Sequence, residues 1–515
     1  SRRQRQMCIR DSDCSGSPAC KDPDRLPATF AYSATVSRQD GLETTVTFNQ
    51  KHLQTEAAVL SATGTLQKTS YLYNVNKLPV RQTVQTYNSS TTFTSITAAE
   101  YNEKGHVTAS WMPQANGNTA DTEHVTRFTY DSTYGLLLTK KWKTDANTTV
   151  ELRNTLDSAK KQIIRSEVYR NGTRVSRTDY TYDTAGNVTS EKRYHDNMTA
   201  FDLIQYTYDR NAFLSGELHS GILTTDGAAA LSSPGQAAGT VATAYTYDAL
   251  GRMLTATDGS GNTTGYAYDA LGNVIRVTNP DGTTRTYVRD YAKNTLTVTE
   301  ENGAQIKYSY TPLGLEFETV DVTSGLVLHR KEYDAQSRLT HELDGVYGAE
   351  TAYTYDVLDR VTSETVTNGT ETLAQTLYAY NDAAEGGSYQ KVTKTIVGDD
   401  AAPSMITTQY TDTAGNIAKT GKLLNGTEYC DTFTYDYVGN QISSLTAADA
   451  AKNLPFTAKY EYNENGQVTK AYNALNQFTE NTYNALGQLV QSTDYAGTPT
   501  TYQYDALGRL LSQTI

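Results

Sequence analysis

Cysteine, tryptophan and long apolar runs are scarce in this sequence, and each shortage excludes a class of protein. Three of the four cysteines, Cys8, Cys14 and Cys20, fall in the first twenty residues, so Cys430 stands alone and no disulfide can staple the remaining chain. No run of about eighteen apolar residues predicts a membrane span, and the first residues lack a signal-peptide pattern. The net charge of -13, without a Lys/Arg cluster beyond the first ten residues, argues against nucleic acid as the main partner.

Recognisable catalytic and metal-binding motifs are also missing. The seven histidines are scattered without a pair at metal-ligand spacing, and the chain has no nucleophile elbow, phosphate-binding loop or dinucleotide fingerprint. The stretch from Asp258 to Asn262 resembles a calcium loop but lacks the bidentate glutamate, so we interpret it as a polar hairpin turn. The sequence therefore predicts no catalytic residue, no cofactor and no metal site.

Tyrosine is abundant, with 39 copies, and it recurs in a short signature. The stretch YDALGR at residues 247–252 returns as YDALGN at 268–273 and as YDALGR at 504–509, and clean copies are spaced 21 residues apart, as at 247 and 268. The signature residues, to which we assign a structural role, are Tyr101, Gly105, Tyr182, Asp183, Gly186, Tyr247, Asp248, Gly251, Arg252, Tyr268, Asp269, Gly272, Tyr435, Asp436, Gly439, Tyr462, Gly466, Tyr483, Gly487, Tyr504, Asp505, Gly508 and Arg509. Degenerate copies begin at Tyr130, Tyr208, Tyr310, Tyr333, Tyr355, Tyr380, Tyr410 and Tyr472.

The signature predicts a tight hairpin turn. Asp248 can accept hydrogen bonds from backbone N–H groups further along the turn, and Ala249 and Leu250 fit the central positions of a type I turn. Gly251 fits the left-handed position of a G1 bulge, where we expect a residue with a Cβ to be strained. The alternating tyrosines before the turn, as in Tyr245-Thr246-Tyr247, indicate a strand with tyrosine on one face.

One repeat is thus two short strands and two turns, and about sixteen copies imply roughly thirty antiparallel strands. An open sheet rarely exceeds about ten strands without curling or closing, and a two-stranded unit cannot bury an apolar face alone. The sequence therefore predicts an all-β fold. Tandem hairpins would form one long antiparallel sheet that winds into a spiral shell or a large barrel.

These residues carry a family resemblance. The run from Tyr247 to Leu254, continuing through Thr263 to Asp269, resembles the YD repeats of the Rhs family, shared with bacterial wall-associated proteins, the C component of insecticidal toxin complexes and the teneurins of animals. The resemblance implies a hollow β-shell that, in polymorphic toxins, encloses a variable C-terminal toxin domain. Family members usually close the repeats with a conserved core segment rich in Asp-Pro, Gly, Asn and Tyr. None precedes Ile515, so we expect the chain to be a fragment that lacks this core and the cargo domain.

The pattern divides the chain into three parts. Residues 1–27 share nothing with the repeats, and MCIRDS at 7–12 resembles a translated sequencing adapter, so we interpret this segment as non-native or disordered. A small cysteine-containing segment is the alternative. Residues 28–94 form a degenerate β-repeat region, and residues 95–515 form the YD-repeat shell. An Ala/Gly/Ser-rich stretch near 224–243 is predicted as an exposed insertion loop, with a cleavage or attachment site as the alternative.

Two functions follow as hypotheses. In the first, the repeats are a non-enzymatic structural region of a secreted or cell-surface protein, and they enclose or present the missing C-terminal toxin domain. In the second, exposed tyrosines stack on sugar rings, and the chain is a carbohydrate-binding or adhesion surface of a wall-associated protein whose partners are cell-wall or cell-surface glycans. The presence of only two tryptophans, Trp111 and Trp142, argues against the second hypothesis.

Overall fold

The structure is a computed structural model of the chain, and it describes residues 8–10, 30–38, 40–194, 199–223, 240–398, 402–505 and 508–515. The segment predicted to be non-native or disordered therefore lies outside the described residues, except for the strand Cys8–Arg10. Most of the predicted insertion loop also lies outside them, up to residue 239. Its last four residues belong to the strand Thr240–Tyr247.

Nearly all of the described chain is β-strand, and the all-β prediction is confirmed. The strands are β1 (Cys8–Arg10), β2 (Ala31–Ser37), β3 (Glu43–Asn49), β4 (Gln54–Ser61), β5 (Gly64–Tyr73), β6 (Pro79–Tyr87), β7 (Thr92–Tyr101), β8 (Val107–Trp111), β9 (Val125–Tyr130), β10 (Leu137–Lys143), β11 (Thr149–Leu156), β12 (Ile163–Arg170), β13 (Thr173–Tyr182), β14 (Val188–Tyr194), β15 (Phe201–Tyr208), β16 (Leu214–Leu223), β17 (Thr240–Tyr247), β18 (Met253–Thr257), β19 (Thr263–Tyr268), β20 (Val274–Thr278), β21 (Thr284–Asp290), β22 (Thr295–Thr299), β23 (Gln305–Tyr310), β24 (Glu316–Asp321), β25 (Val327–Tyr333), β26 (Leu339–Asp344), β27 (Ala349–Tyr355), β28 (Val361–Asn368), β29 (Glu371–Ala384), β30 (Tyr389–Ile396), β31 (Met405–Thr411), β32 (Ile417–Leu424), β33 (Thr427–Tyr435), β34 (Gln441–Leu445), β35 (Ala458–Tyr462), β36 (Val468–Asn473), β37 (Phe478–Tyr483), β38 (Leu489–Thr493), β39 (Pro499–Tyr504) and β40 (Leu510–Thr514). Two 3₁₀ turns, Pro113–Ala115 and Glu385–Gly387, and the one-turn helix α1 (Ala447–Ala450) interrupt them.

The sheet is a continuous meander. Each strand pairs antiparallel with the strand before it and the strand after it, from β1 with β2 to β39 with β40. Among the described residues no pairing joins the first strands to the last ones, so the strip is open at both ends. Of the two predicted forms, the structure therefore adopts the wound strip and not a barrel closed by strand pairing.

A meander places its turns alternately on two edges. Turns that follow odd-numbered strands from β3 onward lie on one edge, which we call the signature edge because the Tyr-Asp-x-x-Gly turns form it. Turns that follow even-numbered strands lie on the other edge, the plain edge. The polar turn from Asp258 to Asn262, between β18 and β19, belongs to the plain edge and is a hairpin turn as predicted.

The signature turn has the geometry of a type I turn with a G1 bulge. The N–H of Gly251 donates to the carbonyl of Asp248 at 3.1 Å, and Gly251 has φ of +80°. The carboxylate oxygen Oδ1 of Asp248 accepts from the N–H groups of Leu250 at 2.9 Å and Arg252 at 3.0 Å. The register between β17 and β18 shifts by one residue at Tyr247, as such a bulge requires.

The left-handed position also accepts residues with a Cβ, at the cost of the backbone strain expected there. Ala212 occupies it with φ of +63°, and Asp209 still accepts from the N–H groups at positions +2 and +4. A left-handed non-glycine residue costs about 1–2 kcal/mol, and the hydrogen bonds of the turn outweigh this cost. The non-glycine residues at this position of a turn are His52, Lys77, Ala212, Ser337, Asp359 and Asn476.

The strip is one layer thick. The chain exposes 29465 Å², whereas a compact globule of its mass would expose about 18,500 Å². Buried side chains are correspondingly few, and one group of them, around the fully buried Trp111, lies where β7, β8 and β9 meet the turn Pro113–Ala115. The indole N–H of Trp111 donates to the carbonyl of Asp121 at 3.0 Å. Both faces of the sheet are thus largely open to solvent.

The turn geometry gives a pair of substitutions with opposite expected effects. Gly272 has φ of +89° and open space where a Cβ would stand, so Gly272→Ala adds only backbone strain and should destabilise the protein by about 1 kcal/mol. Ala212→Gly removes the same strain and should stabilise by a similar or smaller amount. Urea unfolding at unchanged m-value measures both. A neutral Gly272→Ala together with a destabilising Ala212→Gly would contradict the assigned turn.

Candidate functional site: the signature edge and the seam between windings

The signature tyrosines tie successive hairpins together. The hydroxyl of Tyr268, at the end of β19, donates to the carbonyl of Met253 at the start of β18 at 2.8 Å. The ladder between these strands ends at Thr255 and Gly265, so the carbonyl of Met253 lies beyond the ladder hydrogen bonds. The same bond is made by Tyr73, Tyr101, Tyr130, Tyr182, Tyr208, Tyr333, Tyr355, Tyr380, Tyr435, Tyr462, Tyr483 and Tyr504.

Burial keeps several of these phenols protonated, which the donated hydrogen bond requires. Burial is the largest cause that raises the pKa of Tyr182, Tyr435 and Tyr504 above the usual value for tyrosine. A deprotonated phenol could not donate to a carbonyl oxygen. The tie between hairpins therefore persists well above neutral pH.

The residue after the signature glycine connects neighbouring turns along the edge. The guanidinium of Arg252 donates to Oδ2 of its own Asp248 at 2.6 Å and to the carbonyl of Asp269 in the next signature turn at 2.9 Å. It also lies over the ring of Tyr268, 4.9 Å from the centroid. Arg360 is placed similarly: it donates to its own Asp356 and lies over the ring of Tyr380, but in the next turn it donates to the carboxylate of Asp382. Residues that follow the signature glycine position thus bridge neighbouring turns at several points along one edge.

The signature edge also contacts a distant part of the strip. Arg38, on the plain edge between β2 and β3, donates through both terminal nitrogens to the carboxylate of Asp359, at 2.8 and 3.0 Å. These residues are 321 apart in the chain. Arg338 also donates to Asp359, so this carboxylate, carried by a left-handed residue, holds two guanidinium groups.

Further contacts follow in the same order along both edges. Thr86, Asn88 and Thr91 donate to the backbone carbonyls of Asp382 and Ala383. The contacts beyond them are Ser95 with the carbonyl of Thr413, the N–H of Tyr437 with the carbonyl of Thr144, Arg170 with the carbonyl of Tyr462, and Arg509 with Oγ of Ser260. We call this line of contacts the seam. The strip therefore winds into a spiral whose second winding sets its signature edge on the plain edge of the first.

One stretch of the seam is packed as tightly as a core. Phe93, Ala383 and Ala384 are buried there, and a Cβ on Gly387 would collide with the carbonyl of Thr92. Other parts are polar, and the ring of His124 lies 4.4 Å from that of Tyr437. The windings are thus held by an interface and not by strand pairing.

The two windings differ in width. Along the seam, the plain edge advances by eight hairpins from the turn after β2 to the turn after β18. The facing signature edge advances by only six, from the turn after β27 to the turn after β39. Neighbouring strands have a fixed spacing of about 4.8 Å. The second winding therefore has the smaller radius, and the spiral narrows toward the C-terminal strands.

Two tyrosines grouped with the degenerate copies lie elsewhere. Tyr472 lies near the end of β36, one strand after Tyr462, which ends β35. The turn that follows Tyr472 is therefore on the plain edge. Tyr410 stands two residues before Asp412, not one, and therefore faces the other side of the sheet. Its ring is buried, and its hydroxyl donates to Glu428 at 2.9 Å. The space for the Glu428 carboxylate exists because residue 421 is glycine.

The face opposite the signature tyrosines carries a network of ion pairs on β11 to β14. Arg165 donates to Asp179 at 2.7 Å through Nε, and Arg177 donates to both oxygens of the same carboxylate. Burial alone would raise the pKa of Asp179, but the hydrogen bonds from Arg177 and Arg165 outweigh it and lower the pKa to about 2. Asp179 thus links β12 to β13, and the hydroxyl of Tyr194 on β14 also donates to it at 3.3 Å, within the first winding.

None of these groups resembles a reaction centre. In the part of the chain that the structure describes, no three His, Cys, Asp or Glu side chains gather as metal ligands. No helix there is long and apolar enough to cross a membrane. The charged side chains named above for the signature edge and the seam bind one another and the backbone.

Comparison with known proteins agrees with this architecture. The family model of the RHS repeat matches residues 236–263, 247–284, 268–305 and 483–514. These segments are thus RHS repeats, and the predicted resemblance of the chain to Rhs/YD-repeat proteins is confirmed. No curated protein sequence matches the chain.

One solved toxin structure shares the fold, and a second is reported for comparison. A mutant Tc holotoxin pore of Photorhabdus luminescens matches with a TM-score of 0.51 at 14% identity, over 92% of this chain and 26% of that chain. The complex titled TcdB2-TccC3-Cdc42 matches with a TM-score of 0.49 at 14% identity, over 93% of this chain and 27% of that chain. This chain therefore spans about a quarter of the length of those chains.

The ion pairs of Asp179 predict an acid-dependent contribution to stability. The folded pKa of about 2 lies below the ordinary value of 3.8, so the unfolded chain takes up the proton first as the pH falls. The contribution, roughly 2 kcal/mol, is fully present above about pH 4 and is lost as the pH falls to about 2. Asp179→Asn should therefore lower the free energy of unfolding at pH 7 and have little effect near pH 2. Glu332→Gln, at an exposed position, is the control, and a pH-independent effect of Asp179→Asn would contradict the assignment.

Proposed function

We propose that this chain is the structural wall of a secreted or cell-surface protein of the Rhs type. The wall encloses or presents a C-terminal toxin domain outside this chain and has no catalytic activity of its own. The observation that carries the proposal is the seam, which turns a one-layer strip into a spiral wall. A one-layer sheet whose successive windings are joined edge to edge has little buried core of its own. Such a sheet is suited to surround a separate domain.

Three features of the wall favour enclosure. The tyrosine ties and the arginine bridges fix each hairpin to its neighbours, which resists bending outward. The seam joins residues about 250 to 320 apart, so the windings cannot separate without breaking many bonds together. The smaller radius of the second winding narrows the enclosed space toward the C-terminal strands, where a following domain would enter. We place the repeat region of the wall at residues 95–515, with 28–94 as its degenerate beginning.

The polar clusters support a structural role for this chain. Glu428 is held by Tyr410, Thr408 and Lys391, and Asp179 by two arginines. Carboxylates satisfied in this way are poor general bases, because a base needs a free lone pair aimed at a substrate. Chemistry, in this proposal, belongs to the enclosed domain.

A glycan-binding role is the second candidate. Exposed tyrosines at turn tips support it: Tyr134 and Tyr291 lie on the signature edge, and Tyr347 and Tyr495 lie on the plain edge. Sugar-binding sites bring several aromatic and polar groups to one place, whereas these four rings are distributed over four turns. The enclosure of a cargo domain is therefore the better supported function.

Protease protection tests enclosure directly. The natural polypeptide that contains this chain and its downstream sequence would be digested with proteinase K. We expect the downstream domain to survive within the intact protein and to be degraded when produced alone under the same conditions. The wall variant Asp359→Ala combined with Arg38→Ala weakens the seam and should increase the rate of digestion of the enclosed domain.

The matched control for the seam variant is Arg330→Ala combined with Glu318→Ala. This pair is an ion pair of similar length within the sheet, at 2.9 Å, and it lies outside the seam. Equal digestion of the downstream domain in the intact protein and alone would contradict the proposal. A coding sequence without any further domain would contradict it as well.

A further inference from the structure

The seam leaves two edges of the spiral without a partner winding in the described chain. Seam hydrogen bonds run from Arg38 and Asp359 at one end to Ser260 and Arg509 at the other. On one side of the seam, the first winding has an unpaired signature edge, from the turn after β3 to the turn after β23. On the other side, the strip has an unpaired plain edge, from the turn after β20 to the turn after β38. We call these the free signature edge and the free plain edge.

Lysines stand at the tips of the free signature edge. Lys77 occupies a left-handed tip position, and Lys104 and Lys160 occupy tips of later turns, all exposed. In the turn of Lys160, the carboxylate of Asp157 accepts from the N–H groups of Lys161 at 2.7 Å and Gln162 at 3.0 Å, whereas the turn of Lys104 also carries the exposed Glu103. Backbone and side-chain hydrogen bonds of this kind lower the pKa of Asp157 and Asp183 and keep both charges within their turns. Exposed lysines therefore outnumber exposed acidic side chains at these three tips.

Acidic residues stand at the tips of the free plain edge. Asp281, Glu301 and Asp494 are exposed in the turns after β20, β22 and β38, and exposed Glu371 follows the turn after β28. Asp281 and Asp494 accept hydrogen bonds from N–H groups of their own turns, as Asp157 does, but unlike Asp157 they remain exposed. Lys452, beside α1, is an exposed basic residue on this edge. The two free edges thus carry opposite charges at their tips.

The apolar tips of the free signature edge are also more exposed than those the seam covers. The apolar residue two positions after the first residue of the turn is a leucine in three of these turns. It is 77% exposed at Leu250, 73% at Leu271 and 77% at Leu313. At the same turn position in the second winding, Val438 is 40% exposed and Leu486 is half-buried. Docking of a plain edge therefore covers this position, and the free edge retains the surface that docking would bury.

We propose that the free plain edge of one copy of this chain docks on the free signature edge of a second copy, as a continuation of the seam. Within one chain, plain-edge hairpin turns already bind the signature edge and donate hydrogen bonds to carbonyls of its turns. The same kind of turn, from a second copy, would bind the free signature edge. Here acidic tips meet lysine tips and add electrostatic attraction. Because the two edges differ, the contact is head-to-tail and does not close after two copies.

Sedimentation velocity at a series of protein concentrations tests this inference. We expect association at about 50 mM salt that grows past the dimer with concentration and weakens at about 500 mM, where the Debye length falls below about 5 Å. The variant Lys77→Glu, Lys104→Glu, Lys160→Glu should weaken association about tenfold or more. A protein monomeric at every concentration and salt would overturn the proposal, as would a dimer that does not grow.

Charge exchange identifies the occupant. The variant Asp281→Lys, Glu301→Lys, Glu371→Lys should also fail to associate alone, and mixing it with the lysine-edge variant should restore association. The control variant Lys141→Glu, Arg276→Glu, Arg330→Glu has the same charge change at exposed positions within strands and should associate as the parent does. Circular dichroism confirms that each variant is folded. If mixing fails to restore association, or if the control loses it equally, edge-to-edge docking is overturned.

Discussion

The structure depends on one local interaction, the capture of two backbone N–H groups by the acid or amide side chain that opens each signature turn. In the turn of Asp248 these donors are Leu250 and Arg252, and the same pattern recurs where the glycine has been replaced, as at Asp209. This bond fixes the length of each turn and hence the register of each hairpin. A strip of forty strands can stay in register only because every turn is fixed separately.

Regular hairpins then make the longer-range contacts possible. Most signature tyrosines reach the backbone of the preceding hairpin because the turn places them at the same point of the repeat. The arginine after the glycine reaches the next turn for the same reason. When the strip curves through about one winding, this uniform edge meets the plain edge, and the seam forms between turns that are far apart in the chain. Wall, seam and enclosed space therefore follow from one repeated turn.

The sequence predicted what is local and missed what is distant. Strand alternation, the hairpin turn and the wound all-β strip follow from the spacing of Tyr, Asp and Gly. The tyrosine ties carry no signal of their own, because their acceptors are backbone carbonyls of many residue types. The seam could not be predicted, because no repeat spacing in the sequence connects the turn of Arg38 with the turn of Asp359. Tyr410 resembles a degenerate copy of the signature, although its position two residues before Asp412, instead of one, indicates the opposite face of the sheet.

The distance between the two windings tests the wound strip most directly. Spin labels at Ser89→Cys and Thr413→Cys, in a chain whose four natural cysteines are replaced, would lie on facing edges without removing a seam hydrogen bond. Ser95 contacts Thr413, and the labelled residue 89 precedes Ser95 by about six residues of extended chain. The two labelled backbone positions therefore lie within roughly 20 Å of each other. A flat strip would separate the same positions by about 25 strand spacings, or about 120 Å. A short, narrow distance distribution is the predicted result, and a long or featureless one would contradict the spiral.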